Sequence, residues 1–229
     1  MTEPLSILSS MATKALLVEL TQAYEARSAR RVVVESVGGV DAKKRVQAGE
    51  TFDLVVLSSE AIDDLVRTGY LGAGSKRDLV TSGVAVAVRA GAARPSITTE
   101  AELRSAVLAA RSIGFSTGPS GVKLAHLLEH WGIAHSVRDR IVTPPPGIPV
   151  GALVARGEVE LGFQQRSELI HLAGIDVIGA LPPEVQIVTT FSAALGAGST
   201  RPGATRELVE YLASDAALEA IKRQGMDRA

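Results

Sequence analysis

Two rhythms of apolar residues alternate along the chain. Short runs rich in apolar and β-branched residues, Leu5 to Leu8, Arg31 to Val37, Phe52 to Leu57, Val84 to Val88 and Val159 to Phe163, read as strands, and Val84 to Val88 is apolar at every position, as expected of a strand covered on both faces. Between them the apolar residues fall three and four apart. Leu16 or Leu17, Leu20 and Tyr24 make one helical stripe, and Ile62, Leu65 and Val66 make another. Punctuation fits the same elements. Gly49, Gly69 and Gly157 follow helical runs as stops, Thr99 and Glu102 stand at capping-box spacing, and Thr143 to Gly147 carries three prolines and must be extended loop. Further strands are expected at Asp176 to Ile178 and Gln186 to Leu195, and two helices close the chain, near Gly203 to Ala213 and Asp215 to Gln224. Strand and helix alternating throughout predict an α/β fold with mostly parallel sheets and right-handed crossovers.

Ligands of such sheets sit beyond the carboxyl ends of the strands, and the turns at those ends share a composition. Ser9 and Ser10 follow the first strand, Gly38 and Gly39 the second, Ser58 and Ser59 the third. The fullest example is Arg111 to Trp131. A short strand, Ile113 to Ser116, leads through the small-residue turn Ser116 to Gly121 into a helix with Val122, Ala125, Leu128 and Trp131 on one face. The first amides of a helix lack intrahelical partners and carry partial positive charge, so strand, hydroxyl turn and helix together suit an anion. Ser116, Thr117 and Ser120 add hydroxyl donors, and Gly118 and Gly121 permit close approach to the backbone. Ser120 and Ser59 are the expected N-caps of their helices, which is the ordinary structural use of such residues.

Composition narrows the function. The 229 residues carry a formal net charge of −1 and only 3% aromatics, which leaves neither the charge nor the stacking surface for nucleic acid. There is no cysteine, hence no disulfide framework or thiolate metal site. His126 and His130 are spaced i,i+4 but read as a solvated helix face, and neither a metal nor a cofactor is expected. The first twenty residues have no basic segment before their apolar run, and Lys14 interrupts it. No membrane insertion is expected. As written the chain reads as cytoplasmic, or as periplasmic if a leader has been removed.

The segments LSSMATKALLVEL, RVQAGETFDLVVLSSEAIDDLVRTGYL, GVAVAVRAG, SIGFSTGPSGVKLAHLLE and IPVGALVARGEVELGFQQ, in this order, resemble the molybdate-binding branch of type II periplasmic substrate-binding proteins. The resemblance spans essentially the whole chain. It implies two α/β lobes, residues 1–82 with 197–229 and residues 83–196, joined by crossing strands near 82–88 and 191–195, with the ligand in the cleft. The ligand-facing positions it implies are Ser9, Ser10, Met11, Gly38, Gly39, Val40, Ser58, Ser120 and its neighbours Ser116 and Gly121, Pro149, Val150, Phe163 and Gln164. Ser82 lies at one crossing. Molybdate binders of the family place serines in the first two turns and often a tyrosine late in the second lobe. Here those places fall at Met11, at Gly39 or Val40, and near Phe163. Missing hydroxyls discriminate strongly against an oxyanion. Lys14, Arg77 and Arg89 favour an organic polycarboxylate, and Gln164 and Gln165 suit a carboxyl or hydroxyl edge.

Two functions follow. One is capture of a small anion without chemistry, with an ABC transporter as partner if the protein is exported. The other is an isomerase on the same scaffold, similar to the family's aconitate isomerases, which move a proton along an allylic tricarboxylate. Lys14 is then the candidate for a carboxylate clamp or, desolvated, a base.

Overall fold

The runs Leu54 to Leu57 and Val84 to Val88 are apolar at every position and buried throughout. The computed structural model describes residues 3–145 and 147–229; Pro146, within the proline loop, lies outside the described residues. The chain runs β1 (Leu5–Ser10), α1 (Lys14–Ser28), β2 (Val32–Val37), α2 (Gly39–Gln47), β3 (Leu54–Ser58), α3 (Ser59–Arg67), β4 (Arg77–Arg89), α4 (Glu100–Ala109), β5 (Ile113–Gly114), α5 (Pro119–His130), α6 (Ala134–Val137), β6 (Ile141–Val142), α7 (Val150–Arg156), β7 (Leu161–Gln165), α8 (Arg166–Leu169), β8 (Ile175–Ala180), β9 (Val188–Leu195), α9 (Pro202–Leu212), α10 (Leu218–Arg223) and β10 (Asp227–Arg228). It divides into two compact units, residues 1–81 with 190–229 and residues 82–189. The divisions fall inside β4 and inside β9.

In the first unit β1 pairs in parallel with β2 and β3, and β9 joins β3 antiparallel. Alternation sorts the side chains. Leu5, Ile7, Leu54 and Val56 face Leu16, Leu17 and Leu20 of α1 and Leu208 and Leu212 of α9. Leu8, Val55 and Leu57 face Ala42 and Val46 of α2 and Ile62 and Leu65 of α3. In the second unit β5 pairs in parallel with β6 and β7, while the later half of β4 pairs antiparallel with β7 and β8. α4, α5 and α6 cover one core with Leu103, Val107, Leu124, Leu128 and Val137. α7 covers another with Val150, Leu153 and Val154.

Several local expectations are corrected. The strand expected at Val84 to Val88 is the later part of a 13-residue strand, whose polar start at Arg77 and Asp78 hid it. The caps of α3 and α5 are Ser58 and Gly118, not Ser59 and Ser120, because both helices begin earlier than their apolar stripes. Val122 is 47% exposed, and α5 instead buries Gly121, Leu124 and Leu128. The strand expected at Val159 to Phe163 starts and ends two residues later, which brings Gln164 and Gln165 into it. The Thr99–Glu102 capping box forms in both directions.

Candidate functional site

In the first unit the three parallel strands end level with one another, Ser10 opposite Val37 and Ser9 opposite Ser36. Ser9 is fully buried, and its hydroxyl meets that of Ser36 at 2.7 Å, so it ties two strands together. Ser10 caps a single 3₁₀ turn, Met11 to Thr13, and lies 3.5 Å from the Thr13 hydroxyl. A Cβ on Gly39 would sit 3.8 Å from Ser10 Cβ, so the first and second turns are direct neighbours. The Asp41 carboxylate comes within 3.3 Å of the same construction on Gly38 and brings negative charge to the second turn. Ser58 is buried and makes no capping bond with its own hydroxyl. Lys14 opens α1 and is exposed.

In the second unit α5 begins with a spent amide and a missing one. Gly118 donates to Ser116 Oγ at 3.3 Å, and Pro119 has no N–H. Ser120 and Gly121 are therefore the first-turn residues whose amides have no intrahelical acceptor. Pro149 caps α7, and the Val150 side chain is wholly buried, which leaves that residue only its backbone to offer. Phe163 is likewise core. Arg89 is not brought to Val150. It lies beside Gly157 at the other end of α7, where a cation complements the helix carboxyl terminus.

Gln164 has its amide committed within the protein. Its Oε1 accepts from the Gly151 amide at 3.0 Å, and its Nε2 donates to Glu168 Oε1 at 2.8 Å. The spare polar atoms belong to its neighbours. Ser82 Oγ, Gln165 Oε1 and Ser167 Oγ are buried without a hydrogen-bond partner. Gln165 is held by its other end, donating from Nε2 to Thr189 Oγ1 at 2.9 Å. A buried polar atom left unmade costs about 1–3 kcal/mol, so three in one unit are kept at a cost. Burial pushes the Glu168 carboxyl up to about 7 from an ordinary 4.5, against the opposing pull of the Gln164 bond. Sequence reasoning passed over Ser167 and Glu168. The signal available was a polar string, Gln164 to Glu168, following directly on a wholly buried strand.

The candidate residues of each unit gather at strand ends that feed helices, on an α/β solute-binding fold. The chain belongs to the family described as bacterial extracellular solute-binding protein, whose model matches residues 5–227. It is 34% identical over 230 residues to an aconitate isomerase of a Pseudomonas species, covering 97% of this chain and 87% of that protein. Among solved structures it resembles the periplasmic molybdate-binding protein of Azotobacter vinelandii (TM-score 0.81, 18% identity, 97% of this chain and 98% of that one). It also resembles the sulfate-binding protein of Mycobacterium tuberculosis (TM-score 0.79, 17% identity, 98% of this chain and 86% of that one). Among the described residues no helix is long and apolar enough to cross a membrane.

Proposed function

We propose that the protein takes a small organic polycarboxylate and moves a proton along an allylic tricarboxylate, as an aconitate isomerase does. The observation that carries this reading is the likeness to the Pseudomonas aconitate isomerase over nearly the whole of this chain. The chemistry of the turns supports it. By the family resemblance the hydroxyl positions of a tetrahedral-oxyanion site fall on Met11 and on Gly39 or Val40, and Phe163, near the tyrosine position, is packed in the core. The groups offered instead are Ser10, the neighbouring Gly39 turn and Lys14 in one unit, and the amides of Ser120 and Gly121 with Ser82, Gln165 and Ser167 in the other.

A second reading is capture without chemistry, with export and an ABC transporter as partner. The description of the family model favours it, as do the two periplasmic oxyanion binders of the same fold.

A thermal-shift series against molybdate, tungstate, sulfate, phosphate, citrate, cis-aconitate and trans-aconitate separates the ligand classes. Proton NMR of any stabilising tricarboxylate in deuterated water separates the functions. Exchange of the methylene protons and appearance of the other isomer are the expected result. A shift with molybdate or sulfate alone overturns it. Lys14→Met is expected to remove most of the tricarboxylate shift, since a charge-assisted bond is worth about 1.5–3 kcal/mol, or at least tenfold in Kd. An unchanged shift in that variant would exclude Lys14 from the site.

A further inference from the structure

Resting on the isomerase reading, we propose that Glu168 is the catalytic residue that carries the proton, aimed by Gln164 of β7, which is itself anchored to Gly151 in the first turn of α7. The geometry is a chain of two hydrogen bonds. The Gly151 amide can be accepted only by an oxygen, which fixes Gln164 Oε1 on that side and turns its Nε2 toward Glu168. Nε2 then occupies Glu168 Oε1 at 2.8 Å and leaves Oε2 for chemistry. The anchor is rigid. A Cβ on Gly151 would lie 2.6 Å from Leu172 and 2.9 Å from Leu169, so the start of α7 and the α8 segment are in close contact. Pro149 and Val150, two of the positions expected to face the ligand, adjoin that anchor.

Among the described residues Glu168 forms no salt bridge, and its hydrogen bond is the one it accepts from Gln164. Arg166 and His171 on its own segment are exposed and do not pair with it. In the elements packed against it, Arg156 at the end of α7 pairs with Glu158, and Asp176 of β8 pairs with Arg94. Among the described residues, burial raises the affinity of its carboxyl for a proton and the Gln164 bond opposes it. A base whose affinity for protons is raised toward neutrality is stronger than an ordinary carboxylate and still ionised for a working fraction of the time. Its sequence neighbours Gln165 and Ser167 hold two of the unpartnered buried oxygens, and the Ser167 hydroxyl is a donor of the kind a ligand with several carboxyl groups needs.

The step balances without an oxidant. Glu168 carboxylate removes a proton from the methylene carbon of the tricarboxylate. That C–H bond breaks, an O–H bond forms, and the electron pair spreads over the three-carbon system and its carboxylate. The same O–H then delivers the proton to the far carbon, and the double bond re-forms one position along.

Glu168→Gln keeps the size and the acceptor for Gln164 and tests the proposal directly. The variant is expected to lose 10²-fold or more of the isomerisation and of the deuterium wash-in, while the tricarboxylate thermal shift stays within about threefold in apparent Kd. In the wild type kcat/KM should rise as pH passes about 7, where the carboxyl ionises. Stability gives a second readout. A carboxyl bound to its proton more tightly in the folded state stabilises fully below its unfolded value, and that contribution is lost as pH rises from about 4.5 through about 7. Glu168→Gln should flatten this slope and melt higher than wild type at pH 8, so lost turnover would not be a folding defect. Should the glutamine variant fail to fold, Glu168→Asp keeps the acid one methylene short and is expected to retain a reduced rate with a displaced pH limb. Turnover in Glu168→Gln within threefold of wild type overturns the assignment and leaves the isomerase reading standing. A wild type that binds tricarboxylates with no isomerisation and no wash-in overturns both.

Discussion

Gly121→Ala is expected to lower the stability of the protein by about 3 kcal/mol or more, on the order of 10 °C in melting temperature. A Cβ at this position would lie 1.6 Å from the carbonyl oxygen of Ser116 and 2.7 Å from its carbon. Both are backbone atoms of the turn itself, so no side chain can swing away. Either the turn from Ser116 to Gly121 opens or α5 starts later, and the first-turn amides of Ser120 and Gly121 move with it. The glycine has no positive φ, so the cost is steric and does not arise from a left-handed backbone. Gly118, three residues earlier in the same turn, is the control. Its added Cβ would meet only the Ser116 hydroxyl at 3.4 Å, an ordinary contact, and Gly118→Ala should cost less than about 1 kcal/mol. Chemical denaturation of the two variants, with ligand-induced thermal shift in parallel, checks both. Gly121→Ala should lose ligand stabilisation as well as stability, and equal costs for the two variants would refute the steric account.

This glycine shows where sequence reading stops. Its presence in a strand-to-helix turn was legible, and ligand approach was the reason offered; the structure shows that the approach it permits is that of the chain to itself. The strands were legible for a firmer reason. β3 sends Leu54 and Val56 to one helical layer and Val55 and Leu57 to the other, so the covering of both faces is written as an unbroken apolar run. The start of β4 was not, because Arg77 is exposed and Asp78 takes a hydrogen bond from Ser192, 114 residues away. No local pattern encodes that partner. The candidate site divides in the same way. Small residues at strand ends mark the turns, yet whether a polar group is spent or spare depends on contacts distant in sequence. Gln164 and Gln165 are adjacent and identical, but the Gly151 amide and Glu168 consume the first, while Thr189 takes only the nitrogen of the second. Glu168 looks like the polar face of a short helix until its half-buried position against Gln164 is known.

Asp53→Ala should be the most damaging change of a polar side chain in the first unit, at about 3–5 kcal/mol. Asp53 is 3% exposed, and every oxygen site of its carboxylate is occupied. Oδ2 accepts from the Ser6 amide at 2.8 Å and from Arg201 Nη2 at 2.7 Å, and Oδ1 accepts from Ser199 Oγ at 2.7 Å. Arg201 reaches on to the carbonyls of Glu3 and Pro4 at 2.9 and 2.8 Å. The carboxylate thus joins the start of β1, the entry to β3 and the loop after β9, at the end of the sheet where β1 and β9 both pair with β3. Close packing of that loop makes the reach possible, for a Cβ on Gly196 would lie 1.9 Å from the Phe52 carbonyl oxygen. Burial is the largest influence on the Asp53 carboxyl and pushes it up, but the Ser6 amide, the Ser199 hydroxyl and the Arg201 guanidinium together hold it below its usual value. Its stabilisation is therefore present above the unfolded carboxylate range, near pH 4, and is lost as pH falls through the lower folded value. Arg201→Ala should cost less than Asp53→Ala, because Arg201 is 30% exposed and its loss leaves Ser6 and Ser199 still bonded to the carboxylate. The double variant should be at least about 1 kcal/mol less destabilised than the sum of the two, since both changes remove the same pair. Urea denaturation at pH 7 and at pH 3 measures all three variants against wild type. Additive costs, or an Asp53→Ala penalty that is the same at both pH values, would show that the buried carboxylate does not organise this junction.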